Sequence, residues 1–132
     1  MRWTSKGKKK KYSIKRFFKS FSYAIKGIIS ALKTEQNLLI DFIVAIVTIL
    51  LGIYLKLSTI EFCIVLLAIS LVISMELVNT SIEYAIDMAM PEIHPLAKIS
   101  KDVASGAVLF SAIISLVIGI IIYLPKIIAL FS

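Results

Sequence analysis

The sequence has little with which to cross-link itself or to bind a soft metal. Its 132 residues include one cysteine, Cys63, which lies within an apolar run. A single cysteine excludes both an internal disulfide and a thiolate metal cluster. The chain also contains no GxxxxGK[ST] loop, no GxGxxG opening a helix, and no HRD, DFG or GxSxG motif. These absences exclude a phosphotransferase of the P-loop or protein-kinase type.

Acidic residues are also few, at 8 against 15 lysines and arginines, which gives a formal net charge of +7. Ten of the 15 basic residues lie within residues 1–26, so the excess belongs to an N-terminal segment rather than to a basic domain. We expect residues 1–11 to form a flexible basic tail held near anionic lipid. No aromatic-interleaved platform follows, and we therefore expect no nucleic-acid binding. The N-terminal pattern predicts no cleavable signal peptide.

Apolar residues dominate what remains. They make up 59% of the chain, and the mean hydropathy is +0.96. Soluble domains are usually about 45–50% apolar. The composition therefore predicts an integral membrane protein, and the length leaves room for one domain, which we place at residues 12–132.

The apolar pattern predicts an all-α fold with one surface helix and three transmembrane helices. Residues 12–34 place apolar side chains at three- and four-residue spacing with basic residues between them, which is typical of an amphipathic helix in the membrane interface. The apolar runs at 38–57, 60–89 and 101–124 reach the ~20 residues that cross a bilayer. A short polar link between the first two runs predicts an antiparallel hairpin.

Loops and flanking charges set the expected topology. Pro91 and Pro95 end the second span and force a loop. Lysines and arginines concentrate in the N-terminal flank and the 88–102 loop, whereas Lys56 and Lys126 stand alone at the other ends. The positive-inside rule then predicts an inner N-terminus and an outer C-terminus.

One stretch, ELVNTSIEYAIDMAMPEIHPLAKISKD at 76–102, carries the polar residues that composition does not explain. Glu76, Asn79, Glu83 and Asp87 fall within an arc of about 80° around a helix. Such a stripe in an apolar helix must face protein, water or a ligand. Topology places its far end, with Lys101 and Asp102, near the cytoplasmic face.

These residue types suit a metal-bound polyphosphate. Magnesium usually takes one or two protein carboxylates together with phosphate oxygens, and an acceptor hydroxyl needs a base. Glu76 lies deepest and is the candidate base, while Glu83 and Glu35 are candidate metal ligands. Lys101 is expected to neutralise the terminal phosphate, with Asp102 orienting it.

Structural readings stay open beside these roles. Glu76 alone is also explained as a protonated hydrogen-bond partner between helices. Glu35 is equally a capping residue, and Ser105 is equally a packing residue or a phosphate contact. Asp41 receives no definite role.

The same segments resemble a known family. ELVNTSIEYAID at 76–87, HPLAKISKDVASGAV at 94–108 and RFFKSFSYAIKGIISALKTEQN at 16–37 resemble the small integral-membrane prokaryotic diacylglycerol kinase and undecaprenol kinase family. The resemblance implies a homotrimer of three-span subunits that uses MgATP to phosphorylate a lipid alcohol, with active sites between subunits.

Residue by residue, the resemblance implies a catalytic base at Glu76 and a motif amide at Asn79, with Ser105 beside the substrate. Magnesium would bind Glu35 and Glu83. The implied nucleotide contacts are Arg16, Tyr23, Glu35, Glu83, Asp87, Lys101 and Asp102.

The resemblance is greater to the undecaprenol kinases of Gram-positive bacteria, which implies undecaprenol as substrate and a role in supplying undecaprenyl phosphate for the cell envelope. The site would then lie at the bacterial cytoplasmic membrane. A diacylglycerol kinase making phosphatidic acid is the alternative within the family. Outside it, a small proton-coupled transporter using Glu76 and a non-enzymatic membrane scaffold are the other hypotheses.

Overall fold

The computed structural model describes residues 12–132, which fold into four α-helices and no strand within that range. They are α1 (Ile14–Thr34), α2 (Gln36–Tyr54), α3 (Thr59–Ala89) and α4 (Pro95–Leu130). Helices α2, α3 and α4 are each long and apolar enough to cross a membrane. The predicted all-helical fold with three such helices is confirmed, whereas the basic tail predicted at 1–11 lies outside the described residues.

Helix α1 begins and ends at recognisable signals. The hydroxyl of Ser13 accepts a hydrogen bond from the Arg16 amide at 3.1 Å, which satisfies a free N–H of the first turn. At the other end a single extended residue, Glu35, separates α1 from α2. Phenylalanines on α1 remain exposed (Phe17, Phe18 and Phe21), and its placement on a membrane surface stays a prediction.

The connection between α2 and α3 is tight because Lys56 takes a left-handed conformation, with φ of 57°. A left-handed residue commonly ends a helix, and here α2 stops at Tyr54, short of the expected 57. Ser58 and Glu61 then form a capping box at the start of α3. At 31 residues, α3 is about 46 Å long and exceeds a ~30 Å hydrocarbon core, so one end must emerge from it.

Helix α4 extends beyond the expected 101–124 at both ends. Pro95 occupies the first turn, where its missing N–H costs nothing, and His94 Nδ1 accepts from the Leu96 amide at 3.1 Å. The helix also continues through Pro125, which removes one backbone hydrogen bond. Contacts beyond that proline hold the last turns, because Lys126 pairs with Glu61 at 3.2 Å.

Helix α4 packs along α3, while α2 packs against α3 and α1 contacts both α2 and α3. The buried core of Leu57, Val65, Ile122 and Tyr123 lies near the α2–α3 connection. The polar stripe on α3 lies toward the opposite end of the bundle, beyond this core. Most large apolar side chains on the three long helices remain exposed, as expected for helices that face lipid.

Candidate active site

A polar groove opens between α2, α3 and α4 around Glu76. The Glu76 side chain lies about 25 Å along α3 from Thr59 and is only 6% exposed. The groove has a volume of about 310 Å³, and its polar lining is Asn37 and Asp41 from α2, Asn79 from α3 and Ser105 from α4. The sequence predicts one site for Glu76, Asn79 and Ser105, and the fold brings the three side chains to the same groove.

Asn79 links the carboxylates of the stripe. Its side-chain amide donates to Glu83 Oε1 at 3.4 Å and lies close enough to Glu76 to act on that carboxyl group. The amide oxygen, Asn79 Oδ1, is buried and has no hydrogen-bond partner among the described residues. A buried acceptor without a partner costs about 1–3 kcal/mol. The oxygen itself is closed off from solvent, so it is not part of the surface that the groove offers to a ligand.

The groove region is rich in negative charge. Asp41, Glu35 and Glu83 all lie close enough for their charges to act on Glu76. Asp41, to which the sequence analysis gave no role, lines the groove directly. Its position in the second turn of α2 follows from the helix restarting at Gln36. Four carboxyl groups in one region favour the approach of a cation.

The described residues offer few ligands to that cation. Between Tyr12 and Ser132 no group of three or more histidine, cysteine or acidic side chains is arranged to hold a metal ion. A pair of carboxylates such as Glu35 and Glu83 nevertheless fits magnesium, which takes one or two carboxylates and draws its other ligands from water and phosphate. The donor set is thus compatible with a nucleotide-bound magnesium ion and not with a closed structural metal site.

A hydrogen bond fixes the corner between α1 and α3 beside this pair. Thr34 Oγ1 and the Tyr84 hydroxyl lie 2.9 Å apart. Thr34 precedes Glu35, and Tyr84 follows Glu83. The bond therefore joins the two residues that are adjacent in sequence to the candidate metal ligands. Neither Thr34 nor Tyr84 was predicted from the sequence.

Ion pairs at the same end of the bundle differ from the expected arrangement. Lys101 on α4 pairs with Asp87 on α3, whereas Asp102 pairs with Lys98 at 2.6 Å. The expectation that Asp102 orients Lys101 is therefore wrong for this structure. Residues four apart share a helix face and can pair, while adjacent residues diverge by 100°.

Arg16 and Tyr23 are not brought into the groove. Both lie on α1, and Arg16 is about 27 Å from Thr34 along the helix axis. The Tyr23 ring has the Lys26 ammonium 5.9 Å from its centroid. The nucleotide contacts expected from these two residues stay predictions.

The fold is that of a small multi-pass membrane protein, with three helices able to cross a membrane. Between these helices lies an acidic groove that can accept a hydroxyl group of a polar ligand. The sequence model of the family described as prokaryotic diacylglycerol kinase matches residues 22–123. The chain belongs to this family of lipid kinases.

Relatives within the family carry two different names. An undecaprenol kinase from Bacillus subtilis is 43% identical over 113 residues, which cover 86% of this chain and 92% of that protein. A diacylglycerol kinase from Helicobacter pylori is 38% identical over 75% of this chain and 77% of its own length. A diacylglycerol kinase from Synechocystis is 36% identical over 84% of this chain, although the match spans only 64% of that longer protein.

Proposed function

We propose that the protein transfers the terminal phosphate of MgATP to the hydroxyl group of undecaprenol at the cytoplasmic face of a bacterial membrane. One observation carries this proposal: a buried carboxylate, Glu76, lies with Asn79 and Ser105 in a polar groove between membrane-length helices. The 43% identity to a protein named undecaprenol kinase supports this choice of lipid. The N-terminus would lie inside and the C-terminus outside.

The groove supplies what transfer to an alcohol requires. An entering hydroxyl has one proton, which it donates to Glu76, the proposed general base. The alcohol oxygen then attacks the terminal phosphorus of ATP, the bond to the bridging oxygen breaks, and ADP leaves. Asn79 also helps to position Glu83 by donating a hydrogen bond to it.

The nucleotide would lie at the end of the bundle that carries Glu35, Glu83, Asp87 and Lys101. Glu35 and Glu83 would hold magnesium, which when bound neutralises charge on the phosphate oxygens. Lys101 would exchange its partner Asp87 for a phosphate oxygen when ATP binds. The remaining proposed nucleotide contacts are Arg16, Tyr23 and Asp102.

Parallel initial rates with MgATP on undecaprenol and on diacylglycerol in mixed micelles test the substrate. We expect faster transfer to undecaprenol. Faster transfer to diacylglycerol would assign the alternative, a kinase that makes phosphatidic acid, which the relatives from Helicobacter pylori and Synechocystis favour by name. Transfer to neither lipid would refute both. Family membership speaks against a transporter or a scaffold.

Substitution tests the base separately from the substrate. Glu76→Gln keeps the size and polarity of the side chain but removes its basicity, so turnover should fall by at least about a hundredfold. Binding of MgATP, measured by nucleotide fluorescence, should be retained. Glu92→Gln, in the exposed α3–α4 loop, is the matched control. Normal turnover in Glu76→Gln would remove Glu76 from the reaction.

We also propose a homotrimer, in which sites form between subunits. The exposed apolar faces of α2, α3 and α4 leave ample surface for helix–helix contacts in the membrane. Chemical crosslinking in mild detergent should give a ladder that ends at three subunits. A ladder that ends at the monomer would contradict the trimer.

A further inference from the structure

One lysine near the proposed nucleotide site, Lys98, has no part in the proposed function. Helices α3 and α4, both described in full, carry three lysines and no arginine. Lys101 is assigned to the terminal phosphate, and Lys126 lies about 42 Å from Lys98 along α4. Because MgATP is itself an anion, a second cation beside Lys101 would favour its binding. The need is greater because the same end of the bundle carries four carboxylates (Glu35, Glu83, Asp87 and Asp102).

Lys98 lies on the face of α4 that lines the polar groove farther along the helix. At 100° per residue, three groove-lining residues fall within about 40° of Lys98 around the helix axis (Ser105, Leu109 and Ala112). Measured along the axis from Ser105 toward the start of α4, Lys101 lies at about 6 Å and Lys98 at about 10 Å. A chain of phosphates that leaves the groove along this face therefore meets Lys101 first and Lys98 next.

The exposure of the two lysines follows the same order. The Lys101 side chain is 37% exposed, whereas that of Lys98 is 74% exposed. Lys98 Nζ lies 2.6 Å from Asp102 Oδ2, and the Asp102 side chain is 63% exposed. An exposed ion pair of this kind contributes little to stability, because water solvates both charges when they separate. Lys98 can therefore exchange Asp102 for another anion at little cost.

We propose that Lys98 binds the inner phosphates of the nucleotide, one helical turn outside the terminal phosphate at Lys101. The inference rests on the proposed function and adds a residue that sets the affinity for the nucleotide. When MgATP binds, Lys98 Nζ leaves Asp102 and donates to a phosphate oxygen, which an ammonium with three rotatable donors does readily. Asp102 is then free to contact the nucleotide itself.

Kinetics in micelles of an uncharged detergent, without anionic lipid, test this role. Lys98→Gln removes the charge from an exposed side chain, so the melting temperature should not change. The KM for MgATP and the inhibition constant of MgADP should both rise about three- to tenfold, between the effects of an exposed ion pair and of a charged hydrogen bond. Both constants should rise because both nucleotides carry the inner phosphates. The kcat should be unchanged, because these phosphates are bound alike before and during transfer.

Three other variants fix the interpretation. Lys101→Gln should weaken MgATP more than MgADP, because ADP lacks the terminal phosphate. Lys98→Arg keeps the charge and should match the parent protein. Lys126→Gln is the matched control, since it removes another lysine of α4 that pairs with a carboxylate, Glu61 at 3.2 Å, far from the site. It should leave both constants unchanged.

A merely structural role, in which Lys98 only holds Asp102 in place, is tested in an Asp102→Asn background. If Lys98 acts only through Asp102, Lys98→Gln has no further effect once that carboxylate is gone. We expect the rise in the inhibition constant of MgADP to persist in the double variant. Its loss would assign Lys98 to the positioning of Asp102 and overturn the inference.

The remaining outcomes separate this inference from the proposed function. If the parent protein phosphorylates a lipid and Lys98→Gln leaves both nucleotide constants unchanged, Lys98 does not bind the nucleotide. An effect on MgATP alone would move Lys98 to the terminal phosphate, and an effect that appears only when anionic lipid is added would assign it to lipid headgroups; either result overturns the proposal. If the parent protein phosphorylates neither lipid, the proposed function itself fails, and this inference fails with it.

Discussion

The hydrogen bond between Thr34 and Tyr84 is expected to hold the two candidate metal ligands in register. The Thr34 hydroxyl carries one proton, which it shares with the carbonyls of Ser30 and Ala31 at 3.1 and 3.4 Å within α1. Tyr84 is therefore the donor across the 2.9 Å contact, and Thr34 accepts. Because Glu35 follows Thr34 directly, loss of this bond should loosen Glu35 relative to α3.

Tyr84→Phe removes the donor and leaves the Thr34 proton satisfied. An exposed neutral hydrogen bond contributes about 0.5–1 kcal/mol, which converts to a two- to fivefold change in an equilibrium constant. We expect KM for MgATP to rise by this factor while kcat stays within about twofold. Initial rates at varied MgATP and saturating lipid measure both quantities.

Two controls distinguish positioning from a general loss of stability. Tyr54→Phe makes the same change on a tyrosine that is 70% exposed at the opposite end of the bundle, and it should leave KM unaltered. Thr34→Ser keeps the acceptor and should preserve KM, whereas Thr34→Val should reproduce the effect of Tyr84→Phe. The double variant that combines Tyr84→Phe with Thr34→Val should be no worse than either single variant. Additive losses, or an unchanged KM in both single variants, would refute the reasoning.

Two further predictions follow from the site and the core. Glu83→Gln should raise the magnesium concentration for half-maximal rate by at least about tenfold, since interactions with a charged group contribute roughly 1.5–3 kcal/mol; an unchanged magnesium dependence would remove Glu83 from the metal site. Gly52→Ala should lower the melting temperature in detergent, because its Cβ would lie 2.9 Å from the Tyr123 hydroxyl and overpacking costs about 1–3 kcal/mol. Gly27→Ala, with open space around its Cβ, is the control, and equal melting temperatures for the two variants would contradict the packing at Gly52.

Periodicity within a helix was readable from the sequence because it needs no knowledge of neighbours. The stripe of Glu76, Asn79 and Glu83 and the three membrane-length helices follow from spacing and apolar run length alone. The sequence also placed the corner near Glu35, where polar residues interrupt the apolar pattern. In the structure the connection between α1 and α2 consists of one extended residue.

Contacts between helices could not be predicted from the sequence in the same way. Lys101 pairs with Asp87 across two helices, and Tyr84 reaches Thr34 across a separation of 50 residues. Such pairs depend on how far one helix slides and turns against another, which spacing along a single chain does not determine. Asp41 is a further case: as the one charged residue of an apolar helix it must face protein, water or a ligand, but its own helix does not show that Glu76 is its neighbour.

The sequence contains a local signal for the early start of α4. A histidine directly before a proline supplies a side-chain acceptor at the cap and a residue without N–H in the first turn, and His94–Pro95 uses both. From the sequence alone, Pro95 was expected to lie in a loop. A proline marks a helix start as readily as a helix end, and the residue before it decides which.

The burial of Glu76 changes the physical argument for an oligomer. A carboxyl group in an apolar helix must be shielded from lipid, and assembly with other subunits is one way to cover it. In the structure Glu76 is only 6% exposed within a single chain. Shielding Glu76 from lipid is therefore not a reason for the subunits to assemble. The stronger reason lies farther along α3, where Asp87 remains exposed and Glu35 and Glu83 supply only two carboxylates. In the proposed trimer, a nucleotide bound there would leave room for charged groups from a neighbouring α1, and Arg16 of that helix would contribute without having to span about 27 Å within its own chain.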